Sequence, residues 1–342
     1  MATVLVTGAG GACGIGAIQS LKTETNHRII GVDMDAAAVG LYFADDGQSV
    51  PPAADDAWAE EMATVVEEFG VDVILPTVDE ELAALPSLAH RLPDDVPIVA
   101  PNQEVIGIAM DKYRTMERLS TAGHPVPETW LATECAEIDS TAFPLMVKPR
   151  QGRGSRGVRK VETPEELTAY VDETDYPTDA LLCQEYIDGT EYTTSVVGTK
   201  TNRLLSVVPK EAITKDGSTV LGATRHSPAV ADTCAELFES LEPAGPLNVQ
   251  QIVDEDGIPH VIEINPRFSS TSCLTVAAGI NEFDLLIRDA LGEQVDPPKE
   301  FIADRYILRY DGHLFADTDE FDGLRSAGDT DSKLLTEKPY NS

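Results

Sequence analysis

The first 33 residues limit the fold more than any other stretch of the chain. Thr3-Val-Leu-Val-Thr7 reads as an apolar strand, the glycine-dense Gly8-Ala-Gly-Gly-Ala-Cys-Gly-Ile-Gly16 leads into a helix-like Ala17-Ile-Gln-Ser-Leu-Lys22, and Arg28-Ile-Ile-Gly-Val-Asp33 reads as a second strand. A strand, a glycine turn, a helix and a strand in that order form one βαβ unit. Further strand-like runs at Val71 to Leu75 and Val96 to Ala100, the first preceded by a helical run that ends at Gly70, extend the unit into a parallel, doubly wound sheet.

Gly8, Gly11 and Gly14 fit the TGxxGxxG pattern of extended short-chain dehydrogenases, with Asp33 where a ribose ligand would stand. This is the basis of an alternative reading, an NAD(P)-dependent reductase or epimerase. That chemistry needs a tyrosine with a lysine four residues later to lower the phenol pKa. None of the nine tyrosines has one. A glycine turn also has a ligand-free role, because the missing Cβ lets helix and strand approach closely.

A chain of 342 residues suits two or three packed α/β units. Asp and Glu number 59 against 25 Lys and Arg, a net charge of -34 spread along the chain. Nucleic acid is excluded as a natural partner, and the even spread suits a surface kept soluble in concentrated salt, a halophilic character. The five cysteines form no CxxC pair and the six histidines no ligand-spaced cluster, which argues for a reducing compartment and against a zinc site. With no long apolar run and no signal-type start, the expected location is the cytoplasm, away from membranes.

A charged helix-forming segment, Asp111-Lys-Tyr-Arg-Thr-Met-Glu-Arg-Leu119, is closed by Ala122-Gly123 and the proline-punctuated HPVPET, which marks a domain junction near residue 108. Beyond it, Phe143-Pro-Leu-Met-Val-Lys148-Pro149 reads as a strand ending at a lysine. Gln151-Gly152-Arg153-Gly154-Ser155-Arg156-Gly157 follows as a glycine loop with two arginines. Backbone N–H groups in such a loop can turn toward phosphate oxygens, and Lys148, Arg153 and Arg156 would offset the phosphate charge. Leu181 to Ile187 reads as another strand, whose edge backbone from Gln184 through Glu185 and Tyr186 to Ile187 can offer an N–H and a C=O to a purine. Glu191 can accept from ribose hydroxyls.

The pair Asn248 to Val253 and His260 to Arg267, joined by Asp254-Glu-Asp-Gly257, predicts a β-hairpin. Alternation puts Glu263 and Asn265 on one face, with Arg267 joining them if the strand runs on through Pro266, and a centred turn sets Gln250 close to Glu263. Amide and carboxylate oxygens without imidazole or thiolate suit Mg2+ bridging phosphates, with Arg267 in reach of a transferring phosphoryl group.

In the order DK at 111, MVKP at 146, the loop 151–157, QEYIDGTEYT at 184, NVQ at 248 and EINPRFS at 263, the chain resembles the ATP-grasp superfamily. It is most similar to one synthetase half of the carbamoyl phosphate synthetase large subunit and to related carboxylate-amine ligases. The resemblance covers residues 1 to about 295. It implies an α/β protein with a Rossmann-like pre-ATP-grasp domain at 1–108, a two-lobed α+β ATP-grasp domain at 109–298 with a lid at about 125–187, and a C-terminal extension at 299–342. It implies that Lys112 and Lys148 contact ATP phosphates with the glycine loop, that Gln184 to Ile187 hold adenine and that Glu191 holds ribose. Gln250, Glu263 and Asn265 would bind Mg2+, or Mn2+ in its place, while Arg267, with Arg225 assisting, steadies the phosphoryl group. The expected activity is ligation of small-molecule substrates: a carboxylate activated as an acyl phosphate and captured by an amine, with an amino acid among the substrates and a dimer as the assembly. A non-catalytic ATP-sensing protein is the third reading.

Overall fold

The computed structural model describes residues 1–316 except 153 and 155, together with residues 318 and 321. The N-terminal part builds β1 (Thr3–Thr7), α1 (Ala12–Glu24), β2 (Arg28–Asp33), α2 (Val39–Phe43), β3 (Asp46–Ser49), α3 (Trp58–Phe69), β4 (Val73–Leu75), α4 (Asp79–Leu82) and α5 (Leu85–Ala89). Its four strands are parallel in the order β3-β2-β1-β4. Alternation along β1 explains the two-sided core: Val4 and Val6 pack with Ile18 and Leu21 of α1, and Leu5 packs with Trp58 and Met62 of α3.

The strand expected at Val96 to Ala100 is reduced to a single bridge, Ile74 to Ile98. Pro97 and Pro101 flank it and lack the N–H a ladder needs, so pairing stops after Pro97 O accepts from Ile74 and Val99 donates to Ile74.

Two capped helices lead out of this domain, α6 (Gln103–Ala109) with Asn102 as N-cap and α7 (Lys112–Thr121) with Asp111. A small antiparallel sheet follows, built from β5 (Thr129–Leu131), β6 (Leu145–Pro149), β7 (Arg159–Val161), α8 (Pro164–Glu173) and β8 (Leu181–Glu185), in strand order β5-β8-β6-β7. Leu145, Val147, Val161, Leu167, Leu181 and Cys183 form its own core.

The remaining elements are β9 (Thr190–Gly198), β10 (Leu204–Val208), β11 (Lys210–Asp216), β12 (Ser218–Thr224), α9 (Pro228–Leu241), β13 (Pro246–Val253), β14 (Pro259–Asn265), α10 (Ser272–Ala277), α11 (Glu282–Ala290) and β15 (Tyr306–Leu308). They form a seven-stranded sheet ordered β14-β13-β9-β11-β12-β15, with β10 on β9. β15, within the C-terminal extension, pairs antiparallel with β12.

The first domain and the large sheet share one apolar core: Val4, Ile18 and Leu21 cluster with Phe268, Phe283, Leu286 and Ile287. At their contact α1 meets α10 so closely that a Cβ on Gly16 would stand 3.2 Å from Cys273 Cβ. Lys210 and Glu282, both fully buried, are tied together through Ser195, whose hydroxyl accepts from Lys210 at 2.6 Å and donates to Glu282 at 3.2 Å. That network pins α10 and α11 to β9 and β11. Among the described residues no helix is long and apolar enough to cross a membrane.

Candidate active site

The expected hairpin is β13 and β14, and its register places Gln250 opposite Glu263 and Asn248 opposite Asn265. A bulge follows Gln250, so that Gln251 pairs with Val261, while β13 stays paired with β9 throughout. Lys112, at the first turn of α7, places its Nζ 3.4 Å from Glu263 Oε1 and donates to the carbonyl of Gly152 at 2.8 Å. Its own N–H donates to Arg150 O, and Arg150 in turn pairs with the Asp111 carboxylate at 2.6 Å. The α7 cap, the base of the glycine loop and the hairpin therefore meet at one point.

Lys148, at the end of β6, donates to Gln184 Oε1 at 2.7 Å and to the carbonyl of Ile262 at 3.1 Å. It is 8 % exposed, and burial pushes its pKa down to about 8, with Glu263 opposing the shift. Two ammonium groups thus converge on the part of β14 that holds Glu263, the one carboxylate of the two hairpin strands, in a chain that is otherwise strongly acidic.

The structure departs from the sequence reading in its local geometry at three points. Gln184 and Glu185 do not lie on a free edge. β8 runs between β5 and β6, with Gln184 paired to Thr129 and Met146, and Glu185 N–H donates to Glu128 O. The Gln184 side chain is spent on Lys148 and on Thr129. The strand ends at Glu185; Tyr186 N–H still donates to Pro144 O at 3.3 Å, and Ile187 follows beyond the strand.

Second, β14 stops at Asn265, and Arg267 does not continue its face. The chain turns sharply, Arg267 N–H donating to Asn265 O at 2.8 Å, because Pro266 cannot carry the ladder. The Arg267 guanidinium forms a two-point pair with Asp79 of α4, Nε to Oδ1 at 2.8 Å and Nη2 to Oδ2 at 2.7 Å. Asp79 was not singled out in the sequence. The signal for it was its place just beyond β4, at the carboxyl end of a parallel sheet where the strand order reverses.

Third, Arg225 is held by Glu211 at 2.6 Å and by Asp304, with the Tyr306 hydroxyl alongside. Asp304 and Tyr306 come from the segment for which the sequence offered no counterpart. Glu191 is ion-paired to Lys215 across the sheet. Gly152 and Gly154 have positive φ, 125° and 67°, and open space around them, while the expected Arg153 and Ser155 lie outside the described residues.

The glycine turn after β1 serves packing. A Cβ on Gly14 would run into the carbonyl of Gly8, and one on Gly40 into that of Ala9. The Asp33 carboxylate, the expected ribose ligand of the dinucleotide reading, accepts from Gly10 N–H at 2.8 Å and Asp35 N–H at 3.0 Å.

Residues 109–271 match the family profile of the ATP-grasp domain, and residues 4–99 match that of the PylC-like N-terminal domain. Residues 109–271 are an ATP-grasp domain. The chain is 24% identical over 294 residues to a carbamoyl-phosphate synthase of Methanobrevibacter smithii, covering 81% of this chain and 75% of that one. It is 29% identical over 201 residues to a D-alanine–D-alanine ligase B of Chromobacterium violaceum, covering 53% and 66%. In fold it is similar to an N5-carboxyaminoimidazole synthetase of Staphylococcus aureus complexed with ADP, with a TM-score of 0.71 and 18% identity over 88% of this chain and 80% of that chain. It is similar also to a biotin carboxylase of Campylobacter jejuni, with a TM-score of 0.70 and 18% identity over 90% and 74%. The resemblance read from the motifs and the α/β class are both met, and none of the four proteins named above is a reductase.

Proposed function

We propose that this chain is an ATP-dependent ligase that converts a substrate carboxylate to an acyl phosphate and passes the acyl group to an amine. The observation that carries the reading is the convergence of Lys112 and Lys148, from two separate elements, on the strand that holds Glu263. A triphosphate laid along that strand would take over the lysine contacts now made to Glu263, Gln184 and backbone carbonyls. The glycine loop, tied to Lys112 at Gly152, would close over it, and residues 186–187 would meet the purine where β8 ends. Glu191 would meet the ribose by giving up Lys215.

Mg2+ suits the oxygen set of Gln250, Glu263 and Asn265, with Mn2+ an acceptable substitute. Asn265 Oδ1 keeps a second lone pair beside its bond from Arg267, and its Nδ2 is buried with no partner among the described residues, a donor left over for a phosphate oxygen. When bound, the metal would offset charge on the phosphate oxygens. The protein's own part is alignment and charge stabilisation, with Arg267 and, just after β12, Arg225 as the cations on the acceptor side. Exclusion of water by the closed loop would protect the acyl phosphate.

Small carboxylates and amines, amino acids among them, are the substrates to screen. The domain limits 1–108, 109–298 and 299–342 and a dimeric assembly belong to the same proposal, as does a salt-rich cytoplasm for a chain with a net charge of -34.

Thermal unfolding in molar KCl tests it, comparing Mg-ATP with NAD(H) and NADP(H). A ligand at 100 times its dissociation constant stabilises by about 2.7 kcal/mol. Stabilisation by Mg-ATP, followed by ADP release with a carboxylate and an amine, is the expected result. Stabilisation by a dinucleotide alone would move the chemistry to the N-terminal glycine turn. Mg-ATP binding with no ADP release across an amino acid panel would favour a sensor.

A further inference from the structure

We infer that Asp79, from the N-terminal domain, is a positioning residue that aims Arg267 so that one of its N–H groups faces the terminal phosphoryl group of the bound nucleotide. This rests on the Mg-ATP reading above. A guanidinium carries five N–H groups. In this structure Nε donates to Asp79 Oδ1, Nη2 to Asp79 Oδ2 and to Asn265 Oδ1, and Nη1 to the carbonyl of Phe268 at 3.0 Å. Among the described residues this leaves a single Nη1 N–H without a partner. The planar fork fixes its direction, because a two-point pair to a carboxylate leaves no rotation about the guanidinium.

Asp79 is itself held from below by the glycine turn. Thr77 Oγ1 donates to the carbonyl of Thr7 at 2.7 Å, and a Cβ on Gly8, whose φ is +59°, would stand 2.6 Å from Val78 Cγ1. The turn after β1 therefore sets residues 77 and 78, these set Asp79, and Asp79 sets Arg267. This gives the glycine turn a part in the reaction without a dinucleotide, and gives the N-terminal domain a hold on the phosphoryl end of the site. Both partners are shielded, at 13 % and 12 % side-chain exposure, so the pair is weakly screened even in strong salt.

Calorimetric titration in molar KCl with Mg-ADP and with the Mg complex of β,γ-imido-ATP reads this without knowledge of the acceptor. The parent should bind the triphosphate analogue about tenfold tighter than ADP, the size of one charge-assisted hydrogen bond. Asp79→Asn should abolish that preference while ADP affinity stays within about twofold, and Asp79→Asn should change nothing further in an Arg267→Lys background. Full preference in Asp79→Asn, equal loss of both nucleotides, or additive losses in the double variant would each overturn the inference. So would a parent that binds both nucleotides equally. A parent that binds neither removes the Mg-ATP reading and the inference with it. If Asp79→Asn does not fold, Asp79→Glu keeps the charge but displaces the fork by one methylene, and an unchanged triphosphate preference there would be equally fatal.

Discussion

The Lys112 ammonium stands 2.8 Å from the carbonyl of Gly152 and 3.4 Å from the Glu263 carboxylate, so one side chain joins the glycine loop to the β13–β14 hairpin. Glu263 balances that charge in the nucleotide-free protein and would be released toward a metal when phosphate arrives. Glu263→Gln keeps the shape and removes the charge. We expect magnesium-dependent ADP release to fall about a hundredfold or more with the fold unchanged, measured as rate against MgCl2 concentration. Parent-like turnover in the variant would remove Glu263 from the metal set.

Lys148 gives a pH signature of two opposite signs. Its pKa is pushed down to about 8 by burial from the ordinary 10.5, so the nucleotide-free protein releases this proton before the unfolded chain does. Folding stability should therefore rise between about pH 8 and 10.5, where the unfolded chain binds more protons. Polyphosphate favours the charged lysine, so ATP affinity should instead fall above pH 8, by up to about tenfold per pH unit. Titrations of the parent and of Lys148→Arg, whose guanidinium stays charged, check this. The arginine variant should lose both slopes.

Glu81 of α4 is buried beneath the glycine turn and accepts from the Thr7 hydroxyl. Burial pushes its pKa up to about 8, with that hydrogen bond opposing the shift. A raised carboxyl pKa favours the folded state at low pH, and the benefit is lost as pH climbs from about 4.5 through 8. Urea unfolding of the parent and of Glu81→Gln at pH 5 and pH 8.5 should show the variant gaining relative to the parent at the higher pH. Parallel stability curves would mean that Glu81 ionises freely.

Gly14 and Gly40 are needed for backbone contact, since a Cβ on either would meet a carbonyl oxygen in the turn after β1. Gly14→Ala or Gly40→Ala should cost about 1–3 kcal/mol in denaturant unfolding, from overpacking against atoms that cannot retreat. The same substitution at Gly107, which has open space around it, should cost nothing and gain slightly from helix propensity. A dinucleotide should alter none of these values.

Much of the candidate site was legible in the sequence because it depends on short-range rules. Period-2 alternation and a four-residue turn set Gln250 against Glu263, and a strand ending in lysine set Lys148 beside the glycine loop. Asp111, read as the start of a charged helix, is its N-cap. Where the expected edge was missing, the cause was a neighbour distant in sequence: β8 has strands on both sides because β5 returns to it.

The sequence by itself therefore determined the parallel N-terminal sheet and the hairpin with its polar face, which follow from residue period and turn chemistry within a few residues, while the order of motifs from 111 to 269 carried the resemblance to the ATP-grasp superfamily. Only the tertiary structure decided which charges meet: Arg267 with Asp79, 188 positions apart, Lys112 with Glu263, and Arg225 with Asp304. Charge pairing has no sequence period. It depends on where two separately formed elements are carried by a shared apolar core, and here that core runs from Val4 of β1 to Phe283 of α11.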